Sequence, residues 1–71
     1  MKIEIYGFGN GCVYCDKAVE LLDNKGLEYS FKDIKTDMDL RNELQEVRGL
    51  DSLKGQTVPQ VFINDVYING Y

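Results

Sequence analysis

Two cysteines, Cys12 and Cys15, stand three positions apart, and they are the only thiols in the 71 residues. On a helix, residues at i and i+3 share one face with Cα atoms roughly 5–6 Å apart, inside the window a disulfide needs. The pair can therefore open and close with little backbone movement. A loop this short stabilises a fold very little, because loop-closure stabilisation grows with loop length. The spacing reads as chemistry rather than scaffolding, and the chemistry is thiol–disulfide exchange. Cys12 falls where a helix begins and Cys15 within its first turn. First-turn amides have no intrahelical partner and carry the positive end of the helix dipole, so they favour a thiolate. Cys12 is expected to be the exposed nucleophile with a depressed pKa, and Cys15 the deeper, resolving thiol.

The composition removes competitors. The sequence has no histidine, which excludes Cys-His catalysis and histidine-containing metal sites. No further cysteine completes a tetrahedral thiolate site within one chain, so no metal is expected. Two chains sharing four thiolates, as in a bridged zinc or iron–sulfur centre, remain the alternative. Twelve acidic against eight basic residues give a net charge of −4, with no basic cluster for nucleic acid or an anionic membrane. No apolar run approaches a membrane span, and the start of the chain leaves no room for a cleavable leader. A single cytoplasmic domain over residues 1–71 is the expectation.

The elements that position the cysteines follow from periodicity. Residues 1–6 alternate, Ile3 and Ile5 on one side and Lys2, Glu4 and Tyr6 on the other, which predicts a strand. A glycine-rich loop, Gly7–Gly11, leads to Cys12. From Val13 the period becomes helical, with Cys15, Ala18, Val19 and Leu22 on one stripe, and Gly26 ends it. Leu27, Tyr29 and Phe31 alternate in a second strand running to Ile34. Thr36 or Asp37 can cap a second helix whose inner stripe is Leu40, Leu44 and Val47, with Gly49 at its end. A polar loop, 51–57, precedes a third strand over 60–64, and Asn64-Asp65 suits a tight turn into a fourth at 66–68. The order β-α-β-α-β-β implies a parallel, right-handed βαβ unit followed by an antiparallel hairpin. An α/β mixed four-stranded sheet with Cys-x-x-Cys at its first helix is the thioredoxin-like arrangement.

Three stretches sharpen this. Cys12-Val13-Tyr14-Cys15, Thr57-Val58-Pro59-Gln60 with its apolar continuation, and Ile68-Asn69-Gly70-Tyr71 together resemble the glutaredoxin family over nearly the whole chain, the first being similar to phage-encoded members. The resemblance implies a disulfide oxidoreductase that uses glutathione as reductant. Its substrates would be glutathione mixed disulfides or protein disulfides such as that of ribonucleotide reductase. It implies Cys12 and Cys15 as catalytic residues and Tyr14, Thr57, Val58, Pro59 and Gly70 as the glutathione- or substrate-binding set. It also implies a cis Pro59, leaving the backbone of Val58 to pair with an extended substrate.

The sequence departs from the family pattern in three places. Val13 replaces the usual proline, restoring an amide near Cys12 and predicting an altered redox poise. The loop Gly7–Gly11 lacks the lysine many members carry there, which removes one cationic contact to a glutathione carboxylate. Asn69-Gly70 stands for Gly-Gly, and the sequence stops before the acidic residues and third helix that usually follow. Without that helix several apolar side chains are expected to be uncovered, through truncation or because a partner or second copy covers them; a monomer or a weak dimer fits either. The competing functions are a redoxin recharged by thioredoxin reductase, a dimeric iron–sulfur carrier, and an inactive binding module.

Overall fold

The computed structural model describes residues 1–69. Its elements are β1 (Ile3–Gly7), α1 (Val13–Asn24), β2 (Ser30–Asp33), α2 (Met38–Arg48), β3 (Gln60–Ile63) and β4 (Val66–Asn69). They form one four-stranded sheet in the order β2-β1-β3-β4. β1 pairs parallel with β2 and antiparallel with β3, and β3 pairs antiparallel with β4 across a register irregularity at Val61 and Phe62. This is the expected mixed thioredoxin-like sheet, and no third helix occurs among the described residues.

Alternation along β1 decides what each helix covers. Gly7 points its missing side chain at Cys15: a Cβ there would lie 2.8 Å from Cys15 Sγ. The face shared by Ile3, Ile5 and Gly7 therefore belongs to α1, whose buried residues are Cys15 and Ala18. The opposite face belongs to α2. There Tyr6, Ile34, Leu44 and Phe62 form the main apolar cluster, with Phe8, Leu40, Leu53 and Val58 packed against it. Tyr6 and Phe62 meet edge to face at 5.4 Å between centroids.

Two expectations shift here. The alternation set Tyr6 on the side opposite the isoleucines, with Lys2 and Glu4, and that polar-looking side is covered by α2, leaving Tyr6 3% exposed. Val47, expected on the inner stripe of α2, is 53% exposed. It flanks a cleft in which the charged Lys2, Glu4, Lys32, Glu43 and Asp65 stand with Tyr6 and Phe62. Lys32 is the hub of that cleft, its ammonium 2.6 Å from Glu43 Oε2 and 2.8 Å from Glu4 Oε2, while Tyr6 OH donates to Glu43 Oε2 at 2.5 Å.

The local signals for element ends hold. Asp37, rather than Thr36, caps α2, its Oδ1 accepting the amides of Asp39 and Leu40 at 3.0 and 3.2 Å. Gly49 ends α2 at φ 66° and Gly26 follows α1 at φ 67°. Asn64 and Asp65 both adopt positive φ, the conformation of a two-residue hairpin turn. β2 is shorter than the alternation from Leu27 suggests, beginning at Ser30. Beyond β3, Val66 and Ile68 of β4 are 60% and 54% exposed, so apolar side chains are uncovered there as expected.

Candidate active site

β1 ends at Gly7, and the next five residues carry the chain to the start of α1. Cys12 is the N-cap of α1, with extended backbone, and its Sγ accepts the amide of Cys15 at 3.2 Å. The Cys12 carbonyl takes the amide of Asp16 at 3.1 Å, the first helical bond. A sulfur thus occupies the place where a Ser or Asp oxygen usually satisfies the orphan amides of a first turn. Cys12 and Cys15 are joined as a disulfide, with Cα atoms 5.2 Å apart, inside the window expected from their spacing.

Their environments differ. Cys15 has no exposed surface, whereas Cys12 is only partly buried. Cys15 Sγ also receives the Phe8 amide at 3.4 Å. Gly7 lets it approach, because any larger residue there would strike both Cys15 Sγ and, at 3.3 Å, Phe31. Close backbone approach of this kind is a recurrent use of glycine within a strand. Nothing in the cysteine spacing pointed to Gly7; the signal available was a glycine at the end of an alternating run.

The Thr57–Gln60 stretch meets this site through the sheet. β1 and β3 pair as Tyr6 with Gln60, and extending that register by one and two residues sets Pro59 beside Gly7 and Val58 beside Phe8. Phe8, Thr57, Val58 and Gln60 line one small cavity with Ile34 and Leu44. The Val58–Pro59 bond is cis, as the resemblance implied, and Pro59 is buried. Gln60, only 2% exposed, fixes the stretch: its Nε2 donates to the Thr57 carbonyl at 3.0 Å while Arg48 donates to its Oε1 at 2.7 Å. Arg48 in turn stacks on Tyr67, 3.9 Å from the ring centroid. Neither Gln60 nor Arg48 was singled out from the sequence for this role.

Tyr14 sits differently. It projects from the first turn at 58% exposure, with the Lys17 ammonium 5.6 Å from its ring centroid, and it lines none of the cavities described here. Gly70 lies outside the described residues. A lysine does reach the active-site loop, though from elsewhere in the chain: Lys35, just beyond β2, donates to the Asn10 carbonyl at 3.2 Å and stands 3.6 Å from where a Gly11 Cβ would be. Among the described residues no group of three or more His, Cys, Asp or Glu side chains converges as a metal site would require.

Known proteins share this fold. The glutaredoxin family model matches residues 3–68. A probable glutaredoxin of Synechocystis is 38% identical over 69 residues, which cover 97% of this chain and 73% of that protein. The reduced glutaredoxin of Escherichia coli superposes with a TM-score of 0.70 at 32% identity, over 99% of this chain and 84% of that one. A buckwheat glutaredoxin in complex with glutathione gives a TM-score of 0.73 at 25% identity, over 96% of this chain and 59% of that one.

Proposed function

Because this chain belongs to the glutaredoxin family of thiol–disulfide oxidoreductases, we propose that Cys12 attacks glutathione mixed disulfides and protein disulfides, and that glutathione returns the electrons. The asymmetry of the two sulfurs supports this reading: one partly buried and capping a helix, the other with no exposed surface in its first turn. The Cys12 thiolate attacks one sulfur of R–S–S–R′, forming Cys12–S–S–R and releasing R′S⁻, which takes a proton. The Cys15 thiolate then attacks Cys12 Sγ, releasing RS⁻ and closing the disulfide seen in the structure. One glutathione thiolate opens that disulfide to a Cys12–glutathione mixed disulfide. A second glutathione attacks it, leaving glutathione disulfide and the dithiol.

Amide donation to Cys12 Sγ is the physical basis for its nucleophilicity, since the same N–H stabilises the departing and the attacking thiolate. Val58 and Thr57 are the proposed contacts for the substrate backbone, and Pro59 holds them beside β1. Tyr14 and Gly70 complete the proposed binding set. Lys35 supplies a cation near the site that the Gly7–Gly11 loop itself lacks, which favours glutathione over a protein reductase as electron donor. Ribonucleotide reductase is a proposed protein substrate, and the cytoplasm, where thiols stay reduced, the proposed setting.

The test is reduction of a small disulfide with glutathione and its reductase as the only electron source, alongside alkylation of Cys12 across pH. Turnover with glutathione and a Cys12 pKa well below about 8.5, the free-thiol value, are expected. Turnover only with thioredoxin reductase would replace glutathione as donor, and an ordinary Cys12 pKa would remove the mechanism.

A further inference from the structure

On the α1 face of the sheet, a groove of about 530 Å3 runs between α1 and the edge strand β2. Its floor is aromatic and aliphatic, formed by the half-buried residues Val19, Tyr29 and Phe31, with Phe8 and Gly9 closing one end. Its rim is acidic, with Asp16, Glu20 and Asp23 from successive turns of α1, and none of its lining residues is basic. We propose that this groove docks the basic segment flanking the reactive cysteine of a protein disulfide substrate, an Arg or Lys stem lying on the aromatic floor and its charged head meeting the carboxylates of Glu20 and Asp23.

The chemistry of the groove selects that occupant. Long cationic side chains bury their methylenes on apolar surface while keeping the charge at a polar rim. They are also attracted to aromatic faces. An acidic segment would meet three carboxylates on a chain whose net charge is already −4. The position fits a substrate held at Cys12, because Phe31 touches the same Gly7 position that abuts Cys15 Sγ. Along α1, Asp16, Glu20 and Asp23 lie four, eight and eleven residues beyond Cys12, which at 1.5 Å per residue is roughly 6, 12 and 16 Å. An extended substrate covers those spans in about two to five residues. The groove thus specifies a basic residue about two to five positions from the substrate cysteine.

This docking rests on the exchange reaction proposed above, so binding and turnover are tested separately. In the first arm, oxidised wild-type protein is titrated with a peptide carrying serine for cysteine and an arginine four positions away, and with its glutamate counterpart, and followed by amide NMR. The arginine peptide should shift Phe8, Gly9, Glu20, Asp23 and Phe31, the glutamate peptide should not, and Glu20→Gln/Asp23→Asn should abolish the response. Shifts elsewhere, none at all, or equal shifts with both peptides would overturn the proposal whether or not the protein is a reductase. In the second arm, kcat/KM is measured for the two peptides as glutathione mixed disulfides and for a small uncharged disulfide. The double variant should lose about threefold to tenfold for the arginine peptide alone, the range expected for one or two exposed ion pairs. An equal loss on the uncharged disulfide would also overturn it, whereas no turnover on any disulfide would sink the exchange reaction and leave the titration to decide the groove.

Discussion

Replacing Gly7 by alanine tests how tightly the sheet backs the buried sulfur. The new Cβ would fall 2.8 Å from Cys15 Sγ and 3.3 Å from the tip of Phe31. Carbon and sulfur do not approach that closely, and the sulfur does not give way easily, because Cys15 is fully buried and bonded to Cys12. Overpacking of this kind costs about 1–3 kcal/mol. For a domain of this size each kcal/mol lowers Tm by about 4–8 °C, so a fall of at least about 4 °C is expected by calorimetry of the oxidised protein. The reduced protein should lose less, because a free Cys15 side chain can rotate away. Destabilising the oxidised form selectively makes the disulfide easier to reduce, raising its potential by about 20 mV for each kcal/mol of difference. Gly9→Ala is the control. Its Cβ would come even nearer a neighbour, 2.7 Å from Asp33 Oδ2, but a carboxylate at the end of a side chain can swing aside, so the cost should stay within about 0.5 kcal/mol. Equal melting of wild type, Gly7→Ala and Gly9→Ala would refute the claim that Gly7 is there to admit the sulfur.

Gln60→Leu should cost about 1–3 kcal/mol, since it strands the Thr57 carbonyl and an Arg48 donor, and it should raise KM for glutathione mixed disulfides more than it lowers kcat. The Lys32 cluster predicts two pH effects, both measurable by thermal melts across pH. The hydrogen bond from Lys32, then that from Tyr6, hold Glu43 below its ordinary value of 4.5. Its stabilising contribution is therefore present above that pH and lost on acidification through the lowered value, and Glu43→Gln should remove this acid-side loss. Burial first, and donation to Glu43 second, push the Tyr6 phenol from 10.0 up to about 12. Stability from this group should then be complete below about pH 10 and fall between about 10 and 12, a loss that Tyr6→Phe abolishes.

Much of this was legible in the sequence because it is local. The change of period at Val13, the cap at Asp37 and the turn at Asn64-Asp65 each depend on a few neighbouring residues, and each appears where the residue types direct. What depends on a third element was not legible. Period-two alternation separates the two faces of β1 but cannot say that α2 covers the one bearing Tyr6, nor that Val47 would stand at the edge of a cleft. The Gly7–Gly11 loop has no lysine of its own, yet Lys35 arrives there through space from beyond β2. Gln60 read as one letter of a motif, and its work for Thr57 is visible only once the loop folds back on it.

β1 is flanked by a strand on each edge and overlaid by a helix on each face. Its amides should consequently exchange with deuterium only when the whole molecule opens, at the slow limit set by global stability, while β4 and the end of α1 exchange earlier through partial opening. The buried sulfur of Cys15, on the first turn of α1, rests against the terminus of that slowest strand at Gly7. Peeling at the periphery leaves its backing unchanged, so successive turnover cycles meet the same rigid anvil.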